Sequence, residues 1–176
     1  ELVWQGGIVE FLSVGSCVHH EGRSAEALAF SSSADGQELY CQLDAGFMPV
    51  RFVFGNVAYS IGVGGGIVGG LRSLARGEVR EYSDVFNETR HRALWRITEE
   101  ARRAGATAVL GIKTTILPMA GLQEMVMVGT ASRHAALPPE CAERPVTSDL
   151  TNEEMWNVVR MGYMPVQLVL GVSVYS

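Results

Sequence analysis

Cysteine is scarce in this chain of 176 residues: Cys17, Cys41 and Cys141 stand far apart and at irregular spacing. That excludes a disulfide framework and reads as reduced thiols in an intracellular, cytoplasmic protein. Long apolar runs are lacking too. The nearest, Ile61 to Leu71, is short and mostly glycine, well below the roughly 18 to 20 residues that span a bilayer. Nor is charge of one sign gathered anywhere: the formal net charge of −5 is spread without basic or acidic runs, which leaves no Lys/Arg face for nucleic acid. Signatures of catalysis are missing as well, with no nucleophile elbow, no recognisable carboxylate pair and no base placed for Ser13, Ser16 or Ser60. These absences point away from an enzyme. The chain opens on Glu1 with no signal-peptide pattern, so an excerpt or a processed product is expected.

What the chain does have is self-similarity. The stretch ELYCQLDAGFMPVRFVFGNVAYS from Glu38 aligns without gaps on EMWNVVRMGYMPVQLVLGVSVYS from Glu154. Both run aromatic-Met-Pro-Val, an apolar stretch, Gly, then Tyr-Ser. In the same way GIVEFLSVGSCVHH from Gly7 aligns on GLQEMVMVGTASRH from Gly121, with Gly7, Glu10, Val14, Gly15 and His20 matching Gly121, Glu124, Val128, Gly129 and His134. The offsets of 116 and 114 residues describe one period, as in tandem-repeat chains. The expected organisation is one complete copy at residues 35–135, between linkers at 21–34 and 136–150. Residues 1–20 are then the C-terminal strands of a preceding copy, and residues 151–176 the first helix and first strand of a following one.

Within the complete copy, Asp35 precedes Glu38 by three residues as Thr151 precedes Glu154, the capping-box spacing that opens a helix. Pro49 then sits at the start of a strand over about 49–60, where a missing donor is tolerated, and Val50, Phe52 and Phe54 alternate with Val53 and Val57. From Asp84 to Ala104 the period becomes helical: Phe86, Ala93, Leu94, Ile97, Ala101 and Ala104 form one stripe, with Gly105 as the stop. Strands over Ala106 to Ile116 and Leu122 to His134 follow. The order is β-α-β-β, an α+β domain of two layers with an antiparallel sheet. One helix layer covers one sheet face, yet the last strand is apolar on both sides, with Val126 and Val128 alternating with Met125, Met127 and Ala131. The uncovered face needs a partner. Trp95, opposite the buried stripe and beside His91 and Arg102, makes the same demand from the helix side, so Trp95, His91, Arg102, Met125 and Met127 are the candidate interface.

The glycine-rich stretch after the first strand, the helix end EEARRAGATAVLGIK and the final strand MVMVGTASR resemble the YbjQ-like family, bacterial domains named for a conjectured heavy-metal-binding role. The resemblance covers Phe47 to His134 in full and residues 1–20 and 160–176 in part. It implies a dodecin-subunit-like fold that assembles into rings, typically pentamers. Tandem repetition departs from that single-domain pattern, so neighbouring repeats are alternative partners. The leading expectation is a non-catalytic oligomeric assembly or binding module.

The alternative is binding of a heavy metal or small anionic ligand, with a divalent or soft metal ion as cofactor. Cys17 and His19 share one face of a strand end and are the candidate ligands, two donors where a metal site usually needs three or four. The loop GVGGGIVGG from Gly62, with Gly64, Gly65 and Gly66 and the following Arg72 and Arg76, is the candidate anion site, since glycines let backbone N–H groups close on a phosphate. It lacks the Gly-Lys-Ser/Thr ending of a P-loop, and a close-packing loop is the competing reading.

Overall fold

Each of the two capping boxes starts a helix of nine residues in the computed structural model. Asp35 accepts from the N–H groups of Gln37 and Glu38, while the Glu38 carboxylate accepts from the Asp35 N–H. Thr151 and Glu154 exchange the equivalent pair of bonds. Both helices stop at a glycine with positive φ, +85° at Gly46 and +88° at Gly162, a backbone that side-chain-bearing residues resist. The structure describes residues 2–5, 8–11, 14–19, 21–22, 29–59, 80–119 and 122–171. In chain order the elements are β1 (Leu2–Gln5), β2 (Ile8–Phe11), α1 (Gly36–Asp44), β3 (Met48–Tyr59), α2 (Arg80–Arg103), β4 (Ala108–Met119), β5 (Leu122–Arg133), a 3-10 turn (Pro139–Ala142), β6 (Val146–Thr147) and α3 (Asn152–Arg160).

Four strands form one sheet in the order β3-β5-β4-β6. The expected order β-α-β-β is present as β3-α2-β4-β5, and both long pairings are antiparallel. The sheet is nevertheless mixed rather than wholly antiparallel. Residues 136–150, expected as a linker, supply β6, which runs parallel to β4 through Ala108–Val146 and Val109–Thr147. β1 and β2 make a separate antiparallel hairpin with Leu2 opposite Phe11 and Gln5 opposite Ile8.

α2 lies across one face of the sheet, and its stripe explains where. Ala93, Ile97 and Ala101 are fully buried against Val53, Val57, Met125 and Met127. Gly55 lets the helix come this close, since a Cβ there would stand 2.2 Å from the Ala93 carbonyl oxygen. A second core lies on the opposite face, where Phe47, Ala108, Leu110, Cys141, Val146 and Met155 pack beneath α1 and α3. The sheet is therefore covered on both faces at the α1 and α3 end, which the expected two layers did not include. Residues 163–171, expected to enter a strand, join no backbone ladder among the described residues; their Leu168 N–H is held instead by the Thr147 hydroxyl of β6. Leu168 and Leu170 pack against the core under α2. No helix among the described residues is long and apolar enough to cross a membrane.

Candidate functional site

Among the described residues, Ser32 and Ser33 cover the second sheet face at Thr130, and away from them and from α1 and α3 the face stays open. Phe52 faces Thr130, Phe54 faces Val128 and Asn56 faces Val126 across the β3–β5 ladder, while Lys113 and Thr115 extend the same rows onto β4. Period-two alternation puts Phe52 and Phe54 on this side because Val53, Gly55, Val57 and Tyr59 take the α2 side. Both phenylalanines are exposed and Val126 and Val128 are half-buried. Polar groups frame them: Lys113 reaches Glu38 at 3.5 Å, and Asn56 donates to Glu124 at 2.6 Å. An apolar centre inside a polar rim is the anatomy of a protein–protein contact.

The outer edge of β3 is closed. The Ser31 hydroxyl accepts from the Phe52 N–H at 2.9 Å, and the Glu100 carboxylate accepts from the Phe54 N–H at 2.9 Å. Arg96 donates to the Asn56 carbonyl, and Arg51 pairs with Glu100 at 3.4 Å. Side chains thus occupy the groups that another strand would use. Packing through this sheet edge would have to displace these bonds, whereas the open face of the same strand is available without doing so.

On the helix side, Trp95 is 64% exposed. It borders a shallow cleft of about 440 Å³ with His91, Thr98, Arg144, Pro145 and Val166. Arg102, the third helix-side candidate, is engaged elsewhere, bonded to Glu99 at 2.8 Å and to Glu143 at 3.5 Å. The hydrogen bond from Arg102, reinforced by Arg103, holds the Glu99 carboxyl down to about 2 from an ordinary 4.5. This clamp stiffens the last turn of α2.

Met125 and Met127, expected at an interface, are fully buried under α2. Their neighbours Val126 and Val128 face the open side, because a strand turns successive side chains to opposite faces. Gly64, Gly65, Gly66, Arg72 and Arg76 lie outside the described residues. Cys17 and His19 are both exposed on an extended segment, and His20 lies outside the described residues. Among the described residues no group of three or more His, Cys, Asp or Glu is arranged to hold a metal ion. Burial pushes the Cys41 thiol up, as do the charges of Glu153, Asp44 and Asp35, which disfavours the thiolate a metal would need. Sequence reasoning missed Phe52 and Phe54, although their alternation with Val53 was visible, and it missed Arg144, which nothing in the local pattern singles out.

Comparison with known proteins places this geometry among relatives. A family model described as "Putative heavy-metal-binding", YbjQ, matches residues 48–135, which is β3 through β5. A UPF0145 protein of Archaeoglobus fulgidus is 40% identical over 82 residues, covering 46% of this chain and 76% of that protein. A UPF0145 protein of Thermus thermophilus is 43% identical over 82 residues, covering 46% of this chain and 72% of that one. An encapsulin nanocompartment protein of Mycobacterium tuberculosis is 35% identical over 137 residues, covering 73% of this chain. The chain spans 52% of that longer relative.

Proposed function

We propose that this chain, which belongs to the YbjQ-like (UPF0145) family, is a non-catalytic assembly module whose open sheet face docks onto other domains of the same kind. One observation carries the reading: Phe52 and Phe54 stand exposed beside Val126 and Val128 on a face that α1 and α3 leave uncovered. Contiguous exposed apolar surface of this kind marks an interaction site. The relative named as an encapsulin nanocompartment protein supports the same direction, since its name is that of a component of a larger body. A ring, as the family resemblance implies, is one way to satisfy the face. Neighbouring repeats are another.

The repeat reading has local support. α3 begins and ends 116 residues after α1, with the same cap and the same left-handed glycine. The β1–β2 hairpin pairs Leu2 with Phe11 and Gln5 with Ile8, the register that β4 and β5 use 114 residues later at Ile116–Met125 and Met119–Leu122. Three free cysteines, two of them buried, fit a reducing compartment such as the cytoplasm.

Light scattering tests the proposal. Wild-type protein is expected at a multiple of the 19.0 kDa chain mass, and the double substitution Phe52→Glu with Phe54→Glu is expected to reduce it to one chain. A wild-type monomer at all concentrations sinks the reading. The second reading, capture of a small anion in the cleft of Trp95, His91 and Arg144 or of a metal by the exposed Cys17 and His19, rests on those groups and on the family's description. Stoichiometric zinc, copper or nickel lost on Cys17→Ala or His19→Ala would favour it over assembly alone.

A further inference from the structure

Two segments of the chain stand outside any helix or strand. Among the described residues, neither 14–19 nor the stretch Met164–Leu170 joins a backbone ladder. Among the described residues, the four most exposed large hydrophobic ones fall in these two places: Val14 at 88%, Val18 at 81%, Val166 at 79% and Val169 at 88%. Each segment is also the sequence counterpart of a strand that is paired. Residues 14–19 correspond to 128–133 in β5, and Met164–Gly171 corresponds to Met48–Gly55 in β3. β3 and β5 are partners in the sheet.

We infer that the Val14–His19 segment of one copy of this chain pairs antiparallel with the Met164–Gly171 segment of a second copy, in the register of β5 on β3. Transferring that register sets Leu170 opposite Val14, Val169 opposite Gly15, Leu168 opposite Ser16 and Gln167 opposite Cys17. The inference rests on the assembly reading above and names a contact that builds the assembly.

The hydrogen-bonding groups are prepared for this. In β3 the Phe52 N–H points away from β5 and is capped by the Ser31 hydroxyl. Its counterpart, the Leu168 N–H, is capped by the Thr147 hydroxyl at 2.9 Å. Successive residues of a strand turn their amides to opposite sides. The side occupied by Thr147 is therefore the outer one, which leaves the amides of Gln167 and Val169 facing the place a β5-like strand would take. Those two amides have no partner among the described residues. Pairing also brings Val14 beside Leu170 on one face, and such apolar cross-strand pairs stabilise a ladder.

A second copy is the occupant because the chain is anchored to opposite edges of the sheet after the first segment and at the second. Ser31, which follows the first segment, is fixed to β3 at one edge of the sheet, and Thr147, which holds the second, is in β6 at the other. Head-to-tail contact between copies joins opposite sides, and it closes into a ring or continues as a filament according to the rotation between copies.

The register supplies its own probe. Cys17 is native, exposed and free, and Gln167 is exposed, so the single substitution Gln167→Cys offers a disulfide to Cys17 of the next copy. Under mild oxidation the variant is expected to give a ladder of covalent dimers, trimers and larger species on a non-reducing gel. The ladder should vanish when Cys17→Ser is added. Val166→Cys, one residue away and on the other face, is expected to cross-link on the order of tenfold more slowly. Equal cross-linking at 166 and 167 overturns the register, and a link confined to single chains overturns the choice of a second copy. An oligomer by light scattering that gives no ladder overturns this pairing and leaves the assembly reading standing, whereas a monomer that gives none removes both.

Discussion

Two stretches of this chain share one pattern and stand in different structures. FMPVRFVFG, Phe47 to Gly55, enters β3, while YMPVQLVLG, Tyr163 to Gly171, stays extended and outside any ladder. The helices ahead of them are alike, nine residues each with the same reciprocal cap. What differs is company. β3 has β5 alongside and α2 across its face, and Val53 is fully buried. Val169 takes the place of Val53 in the second stretch and lies in solvent. A helix carries its hydrogen bonds within itself, so α1 and α3 form equally well. A strand borrows them from a neighbour, so the same residues form β3 only where β5 exists.

The largest effect that could break this comparison is at the two glycines. Gly55→Ala puts a Cβ 2.2 Å from the Ala93 carbonyl and 2.8 Å from the Ile97 amide, so α2 must shift. A loss of about 3 kcal/mol or more is expected in urea unfolding. Gly171→Ala meets nothing within 4 Å, and its effect should stay within about 0.5 kcal/mol. Next come the aromatic residues. Phe47 is fully buried with its ring 4.5 Å from that of His134, and Phe47→Ala is expected to cost about 3–5 kcal/mol. Tyr163 is exposed, and Tyr163→Ala should change the urea midpoint little. The caps sharpen the comparison from the other side: Asp35→Ala and Thr151→Ala should each cost about 1 kcal/mol, because both helices rely on the same bonds.

The smallest effect concerns α2, the helix that packs across β3. Glu99 is held at about 2, chiefly by its hydrogen bond from Arg102. Its contribution to stability is complete above the ordinary 4.5 and is lost as pH falls through about 2. Thermal midpoints of the wild type should therefore fall across that window more than those of Glu99→Gln. Partial exposure of Arg102 and Arg103 keeps the difference modest.

Much of the domain was legible in local pattern. The stripe through Ala93, Ile97 and Ala101 fixed the face of α2, and the Asp35 and Thr151 spacings fixed two helix starts, because periodicity and caps are properties of neighbouring residues. The parallel strand β6 was not legible. Val146 and Thr147 form too short a run to carry a strand signal, and their pairing depends on where β4 begins. The site was read in part. That the second sheet face needs cover followed from alternation in β5, but the residues named for it, Met125 and Met127, are the ones beneath α2. Alternation states that two faces differ without stating which one the helix takes. Closure of the β3 edge by Ser31, Glu100 and Arg96 joins positions far apart in the chain, and no local pattern announces it.

Hydrogen exchange at the amides of Gln167 and Val169, followed as protein concentration rises, tests most directly that the second stretch is a strand awaiting its neighbour. Fast exchange is expected in dilute protein, slowing toward that of Arg51 and Val53 in β3 as light scattering reports association. Exchange that stays fast in a fully associated sample would contradict the account.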